Sequence, residues 1–372
     1  MTDWVTSKAC SCGEVKEWFI TAVPDDCGDA PTQARRLYQQ IKDHLQSQNA
    51  FVFQERIFLT NQVDTVMQVR AEVLGEWADS VRPSLLVSQG QGESVLSGIQ
   101  IHAMAGVECP EIVKDASGQA RGRRVQSQDC RMVGLSAVAA EPSEINALEQ
   151  GSSMFQQAQA LLVQQGTGFL AVPRTWLWLR DILDWYDDLN QARNQFFHQI
   201  GLLRDNEPCP MPASTGIGLA PGLAQDRLCS MDLVALPMSP APITYLQAGG
   251  KQQSAFDYGS AFSRAARAAT PGGDTLYISG TASIDEAGKT THLGDAEAQI
   301  RNTLTNVKAL LADMNFGERD VVQVMAYCKT PEVKRVFEAM SDRPDWPWVT
   351  MICAVCRDNL LFEVEALACR DR

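Results

Sequence analysis

The sequence has only four histidines, His44, His102, His198 and His292. That is little material for a His-rich metal site or a His-based catalytic triad. Cations are also scarce: 32 Lys and Arg face 45 Asp and Glu, for a formal net charge of −13. Counterion release on nucleic acid and attraction to anionic lipid both need clustered cations, so neither partner is expected. A small anionic substrate needs only two or three local arginines and stays open. No apolar run approaches the roughly 20 residues that cross a bilayer. The opening stretch MTDWVTSKACSCGEVKEW has no apolar signal core, so a cytoplasmic location is expected. Neither G-x-G-x-x-G nor G-x-x-x-x-G-K followed by Ser or Thr occurs, which removes the usual nucleotide phosphate cradles.

Cysteine, by contrast, is present 11 times, an odd number scattered from Cys10 to Cys369. In a chain of this size without an export signal these read as reduced thiols, several of them small core hydrophobes. Cys10, Cys12 and Cys27 form a C-x-C plus one, but no fourth Cys or His lies nearby, and a surface thiol segment is expected rather than zinc. No metal is expected there. With 45% apolar and 21% charged residues the chain can bury a core, and 372 residues correspond to two or three domains at about 150 each.

An internal repeat decides between them. Residues 345–368 (DWPWVTMICAVCRDNLLFEVEALA), 210–237 and 82–106 share an order of Pro, β-rich run, turn and second apolar strand, and read as three hairpins. Each follows a strand, helix, strand and helix. In the third copy these are LYISGTASI (276–284), 296–314, DVVQVMAYCK (320–329) and 331–340. Within 296–314, Ile300, Leu304, Val307, Leu310 and Leu311 recur at three-and-four spacing and mark one apolar stripe. The second copy begins at RMVGLSAVAA (131–140) and the first at EWFITAVP (17–24). The fold class is therefore α+β, with three βαβαββ units over 1–125, 126–240 and 241–372. Joined by short junctions at 107–125 and 238–253, they are expected to close around a pseudo-three-fold axis, with ligand sites in the clefts between units.

The motifs SGTASI and H-x-GD of the third unit, with CRxxLLxEVEA in its last segment, resemble the chorismatase family within the Rid/YjgF superfamily. PRTWLWLRDIL, DDLNQARNQFF and MPASTGIG (211–218) extend the resemblance over roughly 130–370. It implies a fused Rid-like pseudo-trimer, a monomer or at most a homodimer. It also implies a cofactor-independent hydrolase that cleaves the enol ether of chorismate and releases pyruvate, the substrate being a small carboxylic acid. Such chemistry needs an acid to protonate the enol-ether methylene and cations to hold carboxylates. The matching acid is Glu363 or Glu365, two apart on a strand and so on one face, where like-charge proximity favours one protonated partner. The repeat supplies an internal control: the position of Glu365 reads as Val234 and His102 in the other units, and that of Glu363 as Asp232 and Gln100, so the pair occurs once. Cys356 matches a family cysteine that governs product choice, with Cys353 as a rival.

Arg174, Arg357, Arg193 and Arg264 match family arginines as carboxylate clamps, although Arg193 has a surface salt bridge with Asp187 or Asp188 as an equal alternative. Lys329 is a further cation; Ser214 and Thr215 in the Gly-rich turn are further donors. The family's Tyr- and Arg-rich stretch reads here as KQQSAFDYGSAFSRA (251–265), about four residues shorter, with Phe256 and Asp257 replacing a tyrosine and an arginine; Tyr258 stands in for the lost hydroxyl. Simple Rid deaminases carry an arginine fifteen residues before the second Glu, where this chain has Thr350. Three readings stay open: a chorismatase-like hydrolase or lyase, an enamine or imine deaminase, and a non-catalytic ligand-binding pseudo-trimer.

Overall fold

The computed structural model describes residues 4–25, 28–89, 94–140, 146–204, 210–222, 226–250 and 252–372. The first unit runs β1 (Val5–Cys12), β2 (Val15–Ala22), α1 (Ala30–Gln48), β3 (Phe51–Leu59), α2 (Val63–Leu74), β4 (Ser84–Val87) and β5 (Leu96–Ala105). The second has β6 (Glu111–Lys114), β7 (Ala120–Gln126), β8 (Arg131–Ala139), α3 (Ala147–Gln164), β9 (Arg174–Leu179), α4 (Ile182–Gln199), β10 (Ala213–Ile217), β11 (Ala220–Pro221) and β12 (Cys229–Met238). The third has β13 (Thr244–Leu246), β14 (Ala265–Ala269), β15 (Asp274–Ala282), α5 (Ala296–Asp313), β16 (Val321–Cys328), α6 (Pro331–Ala339), β17 (Trp348–Ile352) and β18 (Phe362–Arg370). They build three six-stranded sheets, ordered β1-β2-β5-β3-β4-β11, β10-β9-β12-β8-β7-β6 and β13-β14-β15-β18-β16-β17.

The three expected hairpins are not hairpins. β17 pairs in parallel with β16, and β18 inserts between β15 and β16, antiparallel to both. The other units repeat this arrangement with β4 and β5, and with β10 and β12. A helical crossover such as α6 returns the chain parallel to its starting strand, and the last strand then takes the sheet centre. The junctions are structured too, since 107–125 holds β6 and most of β7, and 238–253 holds β13.

Alternation along the central strands divides the interior into four cores. On β16, Val321, Val324, Ala326 and Cys328 pack under α5 and α6, while Val322, Met325 and Tyr327 point the other way. On β9, Leu177 and Leu179 face the helices and Trp176 and Trp178 face away. The outward-turned sets of all three units merge into one axial core with Phe19, Phe53, Phe58 and Tyr277. Both faces of each sheet are thus buried, which is why these strands read as continuous apolar runs.

The seams between units give their true alignment. Gln54 on β3 donates its amide to the carbonyls of Leu135 and Leu233 in the second unit (2.9 and 3.0 Å). Gln323 on β16 does the same to Ile20 and Ile101 in the first (3.0 and 3.1 Å). Gln54 lies two residues before Arg56, the partner of Gln100; Gln323 lies two before Met325, the partner of Glu365. At the corresponding place Arg174 lies two before Trp176, the partner of Asp232. Gln100, Asp232 and Glu365 therefore occupy one position, and Gly98, Ser230 and Glu363 another. This corrects the correspondence read from sequence by two residues; the loops before β5, β12 and β18 differ in length and concealed the offset.

The reading of all cysteines as reduced thiols also needs correction. Cys10 on β1 and Cys369 on β18 are joined as a disulfide, their Cα atoms 6.0 Å apart, a separation a bridge can span. The axial closure brings the first and last strands together, which sequence separation hid. Cys12, Cys109, Cys130, Cys229, Cys328, Cys353 and Cys356 are thiols outside this bridge, and Cys130, Cys229, Cys328 and Cys353 are buried as expected for core thiols; Cys27 lies outside the described residues. Non-reducing peptide mapping is expected to recover the Cys10 and Cys369 peptides cross-linked. Recovery of both as free, alkylated thiols from protein purified without reductant contradicts the bridge.

Candidate active site

Between the second and third units lies a cleft of about 560 Å³. Its walls come from α4 (Tyr186, Arg193), β10 (Ser214, Gly216), residues 260–264 (Ser260, Phe262, Arg264), β15 (Gly280, Ala282) and the approach to β18 (Cys356, Arg357, Leu360, Glu363). The sequence-derived residues Glu363, Cys356, Arg193, Arg264, Arg357 and Ser214 meet here. Glu365, Arg174, Thr215 and Lys329 do not line it.

Glu363 is the group whose chemistry is most altered. Burial, then the neighbouring charge of Glu365, pushes its carboxyl up to about 8 against the pull of Arg174, Arg264 and Arg357. Burial leads, rather than the like-charge term expected from the spacing. The carboxyl reaches this place only because position 280 is glycine: a Cβ there would lie 2.0 Å from Glu363 Oε1. Gly280 sits in the bulge between Ile278 and Thr281, and its N–H donates to Thr215 Oγ1 at 3.0 Å. Gly280→Ala is expected to drive the carboxyl out of its recess and return its titration toward the ordinary carboxylate range. NMR of ¹³C-labelled glutamate carboxyls checks this, and a midpoint still near 8 sinks the argument.

Glu365 has a different setting. Arg174 Nη2 donates to its Oε2 at 2.6 Å and Trp176 Nε1 to its Oε1 at 3.0 Å. Arg174 is fully buried and also donates to Thr215 Oγ1 at 2.6 Å. It therefore ties the second unit to the third at the axis, in the place that Gln54 and Gln323 take at the other seams, and is not among the residues that line the cleft. An analogous carboxylate recurs in the second unit: Asp232 accepts from Arg56 Nε (3.0 Å) and Ser84 Oγ (2.6 Å) of the first. Of the two glutamates only Glu363, replaced by Ser230 and Gly98 elsewhere, is special to one cleft.

Arg193 is buried on the inward face of α4 and donates to Asn190 Oδ1 at 2.5 Å, instead of bridging Asp187 or Asp188 at the surface. Arg264 donates to the Gln253 carbonyl and Arg357 to that of Gly288 (2.6 Å), so both heads are braced. Burial, then Glu363, pushes the Cys356 thiol up to about 12, which keeps it a neutral thiol. Ser214 accepts from Thr175 Oγ1 at 2.9 Å. Lys329 pairs with Asp358 away from the cleft because β16 ends at its outer edge. Tyr258 closes a 3-10 turn over Ala255–Tyr258, and its side chain lies outside the described residues. Asp257 in that turn is exposed and is not among the residues that line the cleft. Sequence reasoning missed Gly280, Tyr186, Ser260 and Phe262; only the Gly of SGTASI carried a readable signal.

The same geometry locates the Rid arginine position. β10 of one unit faces β18 of the next, and Thr215 corresponds to Val349 through their partners Trp176 and Met325. For the cleft that holds Glu363 the corresponding position is thus Gly216, whereas Thr350 lines the third–first cleft with Trp346 and Trp348.

Residues 253–370 match the family model described as endoribonuclease L-PSP. A crystal structure titled chorismatase superposes with a TM-score of 0.63 at 16% identity, covering 98% of this chain and 100% of that one. The chain has the chorismatase fold. Its single units are also similar to a putative endoribonuclease L-PSP from Entamoeba histolytica (20% identity, TM-score 0.28) and to RidA from the Antarctic bacterium Psychrobacter sp. (21%, 0.28). Each covers 34% of this chain and 98% of its own. The closure of the three repeated units is what brings β10 and α4 against β15 and β18. Among the described residues no helix is long and apolar enough to cross a membrane, and no group of three or more His, Cys, Asp or Glu could hold a metal ion.

Proposed function

We propose that the second–third cleft protonates and hydrates an unsaturated small carboxylic acid, with chorismate as the leading substrate. The observation that carries this is Glu363, a buried carboxyl held protonated near neutral pH, among Arg193, Arg264 and Arg357. The arginines supply the cations that two substrate carboxylates need. The Glu363 carboxyl gives its proton to the enol-ether methylene carbon, and positive charge develops on the ether-bearing carbon. Water adds there and loses a proton, which restores Glu363. The resulting hemiketal collapses to pyruvate and the ring alcohol, so one water is consumed per turnover. Cys356 borders the same space as a neutral thiol, in keeping with a role in shaping the pocket rather than in nucleophilic attack.

An imine or enamine deaminase is the weaker reading, because the Rid arginine position facing Glu363 is Gly216. Incubation with chorismate and a coupled pyruvate assay tests the proposal. Pyruvate release that depends on Glu363 supports it; no release above blank, with ammonia formed instead from a 2-iminobutyrate source, replaces it by the deaminase.

A further inference from the structure

The seam alignment gives the acid-bearing cleft a smaller counterpart between the first and second units. Arg82, Gln119, Arg121, Ser136, Ala137 and Ser230 line it, together with apolar wall from Pro83 and Leu85. Ser230 takes the place of Glu363. Ala137 takes that of Gly280, because the bulge between Leu135 and Val138 matches the one between Ile278 and Thr281. The pair has changed together. Glycine sits where the carboxyl needs its recess, and alanine, here at a φ of 50°, sits where only a serine side chain lies opposite. Among the described residues no Asp or Glu lines this cleft.

What it retains is a set of donors. Arg82 is exposed and has no partner among the described residues, while Arg121 pairs with Asp115 at 2.8 Å. Ser136 and Ser230, 5% and 2% exposed, also line the cavity. Each serine places a hydroxyl that can donate or accept in the cavity wall. Guanidinium heads over an apolar wall select an organic anion. We propose that this cleft binds a small organic carboxylate without turning it over, a second site beside the one that holds Glu363.

Benzoate is a suitable probe, counted by equilibrium dialysis on the full chain, with the ¹³C resonance of the Glu363 carboxyl as an independent reporter of the acid-bearing cleft. Two benzoates per chain are expected. Arg82→Ser should weaken one of them at least tenfold while the response at Glu363 stays as in the parent. Ser230→Leu, which fills the cavity without removing a charge, should do the same. Arg82 is exposed, so its variant keeps the test valid if Ser230→Leu fails to fold. A single site, no binding, or two sites that neither variant changes overturns the proposal. Displacement by equimolar inorganic phosphate overturns the preference for an organic carboxylate.

Discussion

Glu363→Gln is expected to lower pyruvate release from chorismate by roughly 10²–10⁴-fold, the range that a positioned general acid supplies. Glutamine keeps the volume above Gly280 and removes the transferable proton. In the parent protein activity should fall as pH rises through about 8, because the carboxylate formed there has no proton to give. Stability should move with it, in a direction fixed by linkage. The carboxyl is raised from 4.5 to about 8 on folding, so between those values the folded chain holds a proton that the unfolded chain has released. Its stabilising contribution is complete below pH 4.5 and is lost as pH rises through about 8. The Gln variant lacks this dependence, so its melting temperature should gain on the parent between pH 5 and 9. Rate profiles and melting curves on both proteins check the two halves together. A variant that retains full turnover removes Glu363 from the chemistry, and parallel melting profiles remove the raised titration.

How much of this could be read in the chain differs between the two glutamates. Two carboxylates at i and i+2 on a strand share a face, and that part of the reasoning survives, since both are buried toward the interior. Alternation says nothing of what lies opposite. At Glu365 the neighbouring unit presents Arg174 and Trp176; at Glu363 it presents an open cleft. Those partners are 191 and 189 residues away from Glu365, beyond any periodicity argument.

The helices were legible because one apolar stripe, as in Ala296–Asp313, faces a sheet and leaves a 3.6-residue pattern. The sheet order was not, because β16 and β18 are apolar on both faces and their sequences do not say which neighbour each one takes. The disulfide escaped for a similar reason. Cys10 and Cys369 meet only after three units close, and nothing in the local sequence sets them apart from the buried thiols of Cys229 and Cys328.

Arg174→Met is expected to destabilise the fold by about 3–5 kcal/mol, the cost of leaving a buried charge without its partner. Screening does not reduce this pair, whose side chains are 0% and 4% exposed. Methionine keeps much of the stem's volume, so the loss falls on Glu365, which would retain only the Trp176 N–H. A substrate clamp behaves otherwise, raising KM while the melting temperature holds. The decisive comparison is the double variant Arg174→Gln/Glu365→Gln. It copies the third–first seam, where Gln323 occupies the place of Arg174 and Gln100 that of Glu365. Both glutamine amides already donate there to backbone carbonyls across the seam, Gln323 to Ile20 and Ile101 and Gln100 to Val324. The double variant should recover most of the lost stability, with an interaction energy of 0.5–3 kcal/mol or more between the sites, as expected for residues in direct contact. Equal, additive losses in chemical denaturation would mean that Arg174 and Glu365 stabilise the seam independently, and that the axis is not held by their pairing.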